Sequence, residues 1–598
     1  VTMLTRFGRE LDPENVLPEH PRPQLVRDAW ASLNGWWDCA ITPVDAPRPA
    51  EWSDRILVPF SPEAPLSGLE RTLTHGDALW YRLQLPEPPA GERVLLHIDA
   101  SDRHTTVWLD DMQVGEHHDG FTPQTHELTE ALARGGPREL IVRVTDPTDL
   151  EPGARGKQRL KRGGIWYTPQ SGIWQTVWLE AVPRTFVERL ELTPSFDASR
   201  EATGELAVRV FANGPSAGPA RVRVLDAGQV IAEAVVPPVE RVVLPIPGAR
   251  AWSHADPHLY DVEVELGDDR VASYTGIRSL GIVEGADGAR RFTLNGEPVL
   301  HAGLLDQGYW PDGLLTPPSD AAMIADIEAA RAAGFTMLRK HIKIEPARWY
   351  HHCDRLGMLV WQDAVNGGGR YHPLTITLPV ASPFRLDDTR HRGLFARRDR
   401  ADREAFEAAL DAMIAHLGNH PSIIGWVPFN EGWGQFDAAR IAAHVARLDP
   451  SRPVDHASGW HDQFAGDVLS LHVYFRRFRM PDRRRWRGRA VVLSEFGGYS
   501  WPVEGHRWNA REFGYRRYRD RASLAEAVTA LWRDELAPAT EQGLAGFVYT
   551  QLTDVEDEVN GLLTYDREVV KIDPELLGAL NAELANIAAR TAAREERA

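Results

Sequence analysis

Two cysteines, Cys39 and Cys353, are all that the 598 residues contain, and no C-x-x-C or Cys/His spacing accompanies them. A disulfide framework and a structural zinc site are both excluded. Lysine is nearly as scarce, occurring only at 157, 161, 340, 343 and 571, while every other basic residue is arginine. A compact, rotatable ammonium does work that a planar guanidinium does not, so these five positions are worth following. No run of about 18 apolar residues exists, which argues against a membrane-spanning helix, and the opening VTMLTRFGREL lacks the apolar stretch and cleavage pattern of a signal peptide. The expectation is a cytoplasmic protein. Lys and Arg number 67 against 85 acidic residues, a net charge of −18, so neither nucleic acid nor an anionic membrane is an expected partner.

What is present is a change of texture along the chain. From about Leu33 to Pro183, short β-branched and aromatic runs such as RVLLHIDA, HTTVWLDDMQVG and IWQTVWLEAV alternate with Pro, Gly and Asp. That spacing reads as a β-sandwich. A second β-rich stretch, about 186 to 283, contains ELAVRVFANG, ARVRVLDAG and LYDVEVELGDD and suits an immunoglobulin-like sandwich. Beyond about Arg291, apolar runs alternate with amphipathic segments. PVLHAGLL, FTMLRKH, MLVWQDA, IIGWVPFNE, PVDHAS, VLSLHVY, AVVLSEFG and GFVYTQLTD read as eight strands of a (β/α)8 barrel. Helix signals fall between them: Ser319-Asp320 opens one helix and Gly334 closes it, and Asp573 caps another with Pro574 in its first turn. Pro428 cannot donate within a central strand and marks the end of the fourth. The predicted domains are 1–183, 184–283 and 284–598.

Barrel enzymes carry their chemistry at the C-terminal strand ends. Here those ends read Asp306, then Arg339 and His341, then Asp363, Glu431, His472 with Tyr474, and Glu495, with Tyr549, Gln551 and Asp554 along the eighth strand. Trp361, Trp426, Trp433, Trp460 and Trp501 offer flat faces to the C–H side of a sugar ring. Glu431 and Glu495 sit on strands four and seven, on opposing sides of a closed barrel. Glycoside hydrolysis uses such a pair, with retention at a gap of about 5–5.5 Å and inversion at about 6.5–9.5 Å. Arg339 is a candidate for keeping one carboxylate ionised, and Trp426 and Trp433 for desolvating the other.

HPSIIGWVPFNE and VVLSEFGG resemble the acid/base and nucleophile signatures of glycoside hydrolase family 2, which contains β-galactosidases, β-glucuronidases and β-mannosidases. The resemblance continues through PRPQLVRDAWASLNGWW, ILVPFSPEAPLSGL and SGIWQTVWLE in the first domain, DPHLYDVEVEL and YTGIRSL in the second, and FTLNGEPVLHAG ahead of the barrel. It implies an N-terminal β jelly-roll, an immunoglobulin-like β-sandwich and a C-terminal (β/α)8 TIM barrel. It implies an exo-acting retaining β-glycosidase that releases a terminal neutral sugar, β-galactosidase-like, without cofactor or metal. Residue by residue, Glu431 would be the acid/base, Glu495 the nucleophile, Asn430 a partner of the sugar 2-hydroxyl, and Tyr474 the group orienting Glu495. Asp306, Arg339, His341, Asp363, His472 and Tyr549 would line the terminal sugar subsite, with Trp433 as an aromatic platform. By analogy with the family the chain would form a homo-oligomer.

Several positions depart from the family pattern. Arg339-Lys340-His341-Ile342-Lys343 replaces the usual Arg-x-x-His-Tyr-Pro, and Trp361-Gln362-Asp363 resembles the β-mannosidase branch. The Asn-x-Lys element that recognises a carboxylate in β-glucuronidases is not evident, since Asn560 is followed by Gly561-Leu562. β-Mannosidase, β-glucuronidase, and β-galactofuranosidase or arabinofuranosidase are the alternative specificities. The rival classes are a non-catalytic carbohydrate-binding protein and a metal-dependent hydrolase using His341, Asp363 and His472. The basic loop between Pro152 and Ser171 reads as solvated, the alternative being that it reaches the barrel mouth. Lys340 and Lys343, flanking His341, are the first positions to inspect for substrate choice.

Overall fold

The computed structural model describes residues 2–199, 203–214, 218–381 and 384–595. Two antiparallel sheets form the N-terminal jelly-roll. The larger runs Asp54–Val58, Gly35–Pro43, Asp77–Gln84, Glu139–Thr145, His104–Leu109, Met112–His117 in spatial order, and the smaller Trp30–Ser32, Val177–Val182, Arg93–Ile98, Gln124–Glu127. Their alternating apolar residues meet in a core that includes Trp37, Leu79, Tyr81, Leu96, Val142 and Leu179. The immunoglobulin-like sandwich sets Val187–Asp197, Thr203–Ala212 and Val242–Ile246 against a four-stranded sheet ordered Gln229–Val236, Ala220–Asp226, Tyr260–Leu266, Asp269–Thr275. Buried Arg27 ties the two β-domains together: it bonds Asp269 through two nitrogens, at 2.7 and 2.8 Å, and Glu180 at 2.9 Å.

The barrel sheet is parallel and runs Ile423–Val427, Leu359–Asp363, Met337–Lys340, His301–Asp306, Leu544–Thr550, Ala490–Gly497, Val468–Val473. In chain terms that is strand four back to strand one, then eight, seven and six. The predicted fifth strand, PVDHAS, is not a regular strand. Its residues join the fourth through single parallel bridges, Trp426 with Val454 and Asn430 with Ser458. Toward the sixth it uses the Asp467 amide to the Val454 carbonyl and the Ser470 hydroxyl to Asp455. Pro453 lacks the donor a ladder needs, so the closure is made by isolated bridges and side chains. The fourth strand does end at Val427, immediately before Pro428.

Helix signals behave as read: Ser319 caps Asp320–Ala332 by accepting the Ala322 amide, and the Asp573 carboxylate accepts the Glu575 amide ahead of Pro574–Glu595. Below the barrel, the small sheet of Leu280–Glu284, Arg290–Leu294 and Glu297–Pro298 sends Phe292 and Leu294 against Met337, Trp361 and Val548. That end is sealed, leaving the opposite rim as the open face. Among the described residues no helix is long and apolar enough to cross a membrane.

Candidate active site

Arg339 organises the rim. Fully buried at the end of its strand, it forks onto Asp363 through Nε and Nη2 at 3.0 Å each, reaches Glu495 Oε1 at 3.1 Å, and donates to Asn430 Oδ1 at 2.8 Å. Only a guanidinium can address three partners in one plane this way. His341 Nδ1 lies 2.8 Å from Asp363 Oδ2 on the same network. With its Oδ1 occupied, the Asn430 amide is locked in one orientation, and its buried Nδ2 has no partner. It is a donor awaiting an acceptor.

Two carboxylates from opposing strands meet above this platform. Glu431 adopts a left-handed backbone, φ 50°, with its amide held 2.9 Å from the Ser458 carbonyl, which turns its side chain into the site. His472 Nδ1 sits 2.8 Å from Glu431 Oε1 and 3.6 Å from Glu495 Oε2. His472 is itself positioned by the Ser458 hydroxyl at 3.1 Å, which is in turn bonded to Ser494. The Tyr474 hydroxyl donates to Glu495 Oε2, and its ring stacks on Tyr515 at 3.7 Å between centroids. Ligand atoms of Glu431, His472 and Glu495 all lie within 4.8 Å of one another. This is the one grouping of three such residues among those described that is close enough to hold a cation. The Arg339 guanidinium beside Glu495 already places one positive charge there.

The two carboxyl groups differ in proton affinity. Burial and the Glu495 charge raise the Glu431 pKa, against the opposing pull of His472 and Lys157. Burial works on Glu495 too, but His472, Arg339 and the Tyr474 hydroxyl hold it below the usual carboxylate range. The site therefore favours the proton on Glu431 and the charge on Glu495.

Other candidates from the sequence fall elsewhere. Asp306 is taken by the Lys340 ammonium at 2.6 Å, which also bonds Glu345 at 2.7 Å. Lys343 is spent on Glu345 and on the carbonyls of Gly308 and Leu315. Neither lysine is free for a substrate, because at full burial each ammonium must find fixed acceptors. Tyr549 packs outward, 5.4 Å from Trp532 and 5.6 Å from Phe496, in the layer between sheet and helices. Trp426 joins that layer and donates to Asp449, and Trp361 lies in the sealed lower half of the barrel. Neither tryptophan is on the rim. Trp433 is, beside His341 at 6.3 Å and packed with Trp166 and Tyr371, and Trp460 edges His472 at 6.2 Å.

The loop from Pro152 to Ser171 is not solvated. Arg155 caps the carbonyls of Gly368 and Gly369, the Tyr167 hydroxyl donates to Glu558, Thr168 to Glu556, and Arg162 pairs with Glu556 and Asp557. The first domain thus forms one wall of the barrel mouth. Reaching the barrel mouth was the alternative reading of this loop; the aromatic residues Trp166, Tyr371 and Tyr515 escaped a reading confined to strand ends. The KQRLK run beside Ile165-Trp166-Tyr167 was the available signal.

Residues 185–278 match the profile described as glycosyl hydrolases family 2, and residues 311–488 that of the glycosyl hydrolases family 2 TIM barrel domain. Both stretches are glycoside hydrolase family 2 domains. The chain is 23% identical over 485 residues to a β-galactosidase of Photobacterium profundum, covering 76% of the chain and 42% of that protein. It is 27% identical over 388 residues to a β-galactosidase of Klebsiella pneumoniae, covering 61% and 34%. It therefore spans less than half the length of these two relatives. Its fold is that of the Ruminococcus gnavus β-glucuronidase structure, with a TM-score of 0.72 at 17% identity over 95% of the chain and 99% of the other.

Proposed function

We propose that this chain is a family 2 retaining exo-β-glycosidase, with Glu431 as acid/base and Glu495 as nucleophile. The observation that carries the reading is the Glu431–Glu495 pair: side-chain oxygens within 4.8 Å, one carboxyl favouring its proton and the other its charge. The short gap favours double displacement over an inverting mechanism, which needs room for water between the carboxyl groups. Glu495 attacks the anomeric carbon while Glu431 gives its proton to the departing oxygen. Water, deprotonated by Glu431, then releases the sugar. Asn430 Nδ2 is oriented to bond the 2-hydroxyl as charge develops at the anomeric carbon. Asp363 and His341 act with Arg339 to hold this arrangement.

An exo mode follows from enclosure, since Glu431 is 7% and Glu495 4% exposed behind the first-domain loop. The division into domains 1–183, 184–283 and 284–598 goes with this reading, the first supplying the wall. A terminal β-galactoside is the leading substrate, in keeping with the names of the curated relatives. The absence of a carboxylate-binding Asn-x-Lys supports a neutral sugar: Asn560 is spent on Gln551 and Glu558. A panel of chromogenic glycosides, with the first product's anomer read by proton NMR, tests the proposal. Retention with full activity in EDTA is expected. Inversion, or loss of activity in EDTA, overturns it.

A further inference from the structure

Four of the five lysines are buried, and three of them are fully occupied by carboxylates and carbonyls: Lys340, Lys343 and Lys571, the last on Asp554 and the Val559 carbonyl. Lys157 differs. It is 6% exposed, yet among the described residues its ammonium has no hydrogen-bond or ion-pair partner, only the rings of Tyr167 and Trp433 at 5.4 and 5.9 Å. It lines the same small cavity as His341 and Gln307, and its charge acts on both His341 and Glu431.

Two further donors in this corner are idle: Asn430 Nδ2 and Trp433 Nε1 are buried without an acceptor. Leaving these two buried donors unmet is costly unless a ligand brings the acceptors. A cation near Glu431 also works against the proton that an acid must keep, so its placement answers some other need. The loop that carries it is anchored for accuracy. Its neighbour Arg155 grips Gly368 and Gly369, the amides of Arg155 and Gly156 bond the Asn366 carbonyl, and Ala154 bridges Gly367.

We propose that Lys157, supplied by the first domain, binds an acceptor oxygen of the terminal sugar, a ring hydroxyl or a C5 carboxylate, and thereby selects which sugar enters the barrel. The inference rests on reading Glu431 and Glu495 as the hydrolytic pair. Arg339, Lys340, Lys343 and Arg155 are each committed to protein acceptors, whereas the Lys157 ammonium has none among the described residues.

The test compares the wild-type protein with Lys157→Met and Lys157→Arg on a parent glycoside, its monodeoxy analogues and the matching uronide. A charged hydrogen bond predicts a loss in kcat/KM of about 10- to 100-fold for the Met variant, with part regained in the Arg variant. If the partner is a hydroxyl, one deoxy analogue loses its penalty in the Met variant. If it is the carboxylate, the discrimination between uronide and neutral glycoside collapses instead. Either result supports the proposal. Unchanged deoxy penalties together with an unchanged uronide ratio overturn it, whatever the overall rate.

Calorimetry on Glu495→Gln, with and without Lys157→Met, separates the two readings. A glycoside bound by Glu495→Gln but lost on adding Lys157→Met supports the lysine even if no glycoside is turned over. Turnover and binding that both ignore Lys157 refute the lysine alone. No turnover by the wild type and no binding by Glu495→Gln remove both.

Discussion

Tyr474→Phe removes a hydrogen bond to the proposed nucleophile, together with a contact to the Thr550 hydroxyl at 3.1 Å. Phenylalanine keeps the ring stacked on Tyr515 at 3.7 Å and removes only the hydroxyl that Glu495 Oε2 accepts. Arg339 remains on Oε1, so the carboxylate stays paired. A hydrogen bond to a charged group contributes about 1.5–3 kcal/mol. The bond favours ionised Glu495, whose pKa is held down, so activity that needs the carboxylate is present above that pKa and lost as pH falls through it. Without the hydroxyl the pKa rises and the acid limb of kcat/KM moves to higher pH.

The same bond favours Glu495 as a leaving group when the glycosyl-enzyme breaks down. With charge roughly half regained in that transition state, about 1 kcal/mol is lost, slowing deglycosylation by roughly fivefold. The assay is a pH profile with an activated aryl glycoside, joined to stopped-flow detection of a burst. A larger burst and a shifted acid limb are expected. An unmoved acid limb, with the melting temperature preserved, would refute the role given to Tyr474.

Glu431→Ala should slow glycosylation by about 10²–10⁴-fold for poor leaving groups and far less for dinitrophenolates, because only the former need protonation; rates across a leaving-group series check this. Glu431→Gln should abolish the alkaline limb of kcat/KM, since the raised Glu431 pKa means that its proton, present below that pKa, is lost as pH rises through it. Asp269→Ala leaves buried Arg27 without its bidentate partner and should destabilise the protein by about 3–5 kcal/mol, seen as a lowered calorimetric melting temperature. Gly367→Ala puts a methyl 1.8 Å from the Gly153 carbonyl, a backbone atom that cannot turn aside. It should displace the first-domain loop and lower kcat/KM while circular dichroism is unchanged.

The glutamate pair, Arg339 and His472 could be found from sequence because a parallel barrel presents its strand ends on one face, and each follows an apolar run. Strand alternation was harder to use. Trp361, Trp426 and Tyr549 look like rim residues by position, but successive side chains point to opposite faces, and depth along the strand separates rim from sealed interior. The fate of Lys340 and Lys343 depended on Glu345, close by in the chain, and on Asp306 and the Gly308 and Leu315 carbonyls, which reach them only once the strands are side by side. Lys157 is farther still, since its place at the mouth depends on contacts such as Arg155 with Gly368, about 200 residues away in the chain. Composition flagged the lysines. Topology decided which of the buried ones lacks a protein acceptor.

The most direct measurement of the central claim is trapping with an activated 2-deoxy-2-fluoro glycoside followed by peptide mass spectrometry. The fluorine slows both steps, so the glycosyl-enzyme accumulates when the leaving group is good. The account predicts stoichiometric labelling on the peptide containing Glu495 and no label in Glu495→Gln. Labelling at Glu431 or at any other residue, or an unlabelled protein that still turns over the parent glycoside, would contradict it.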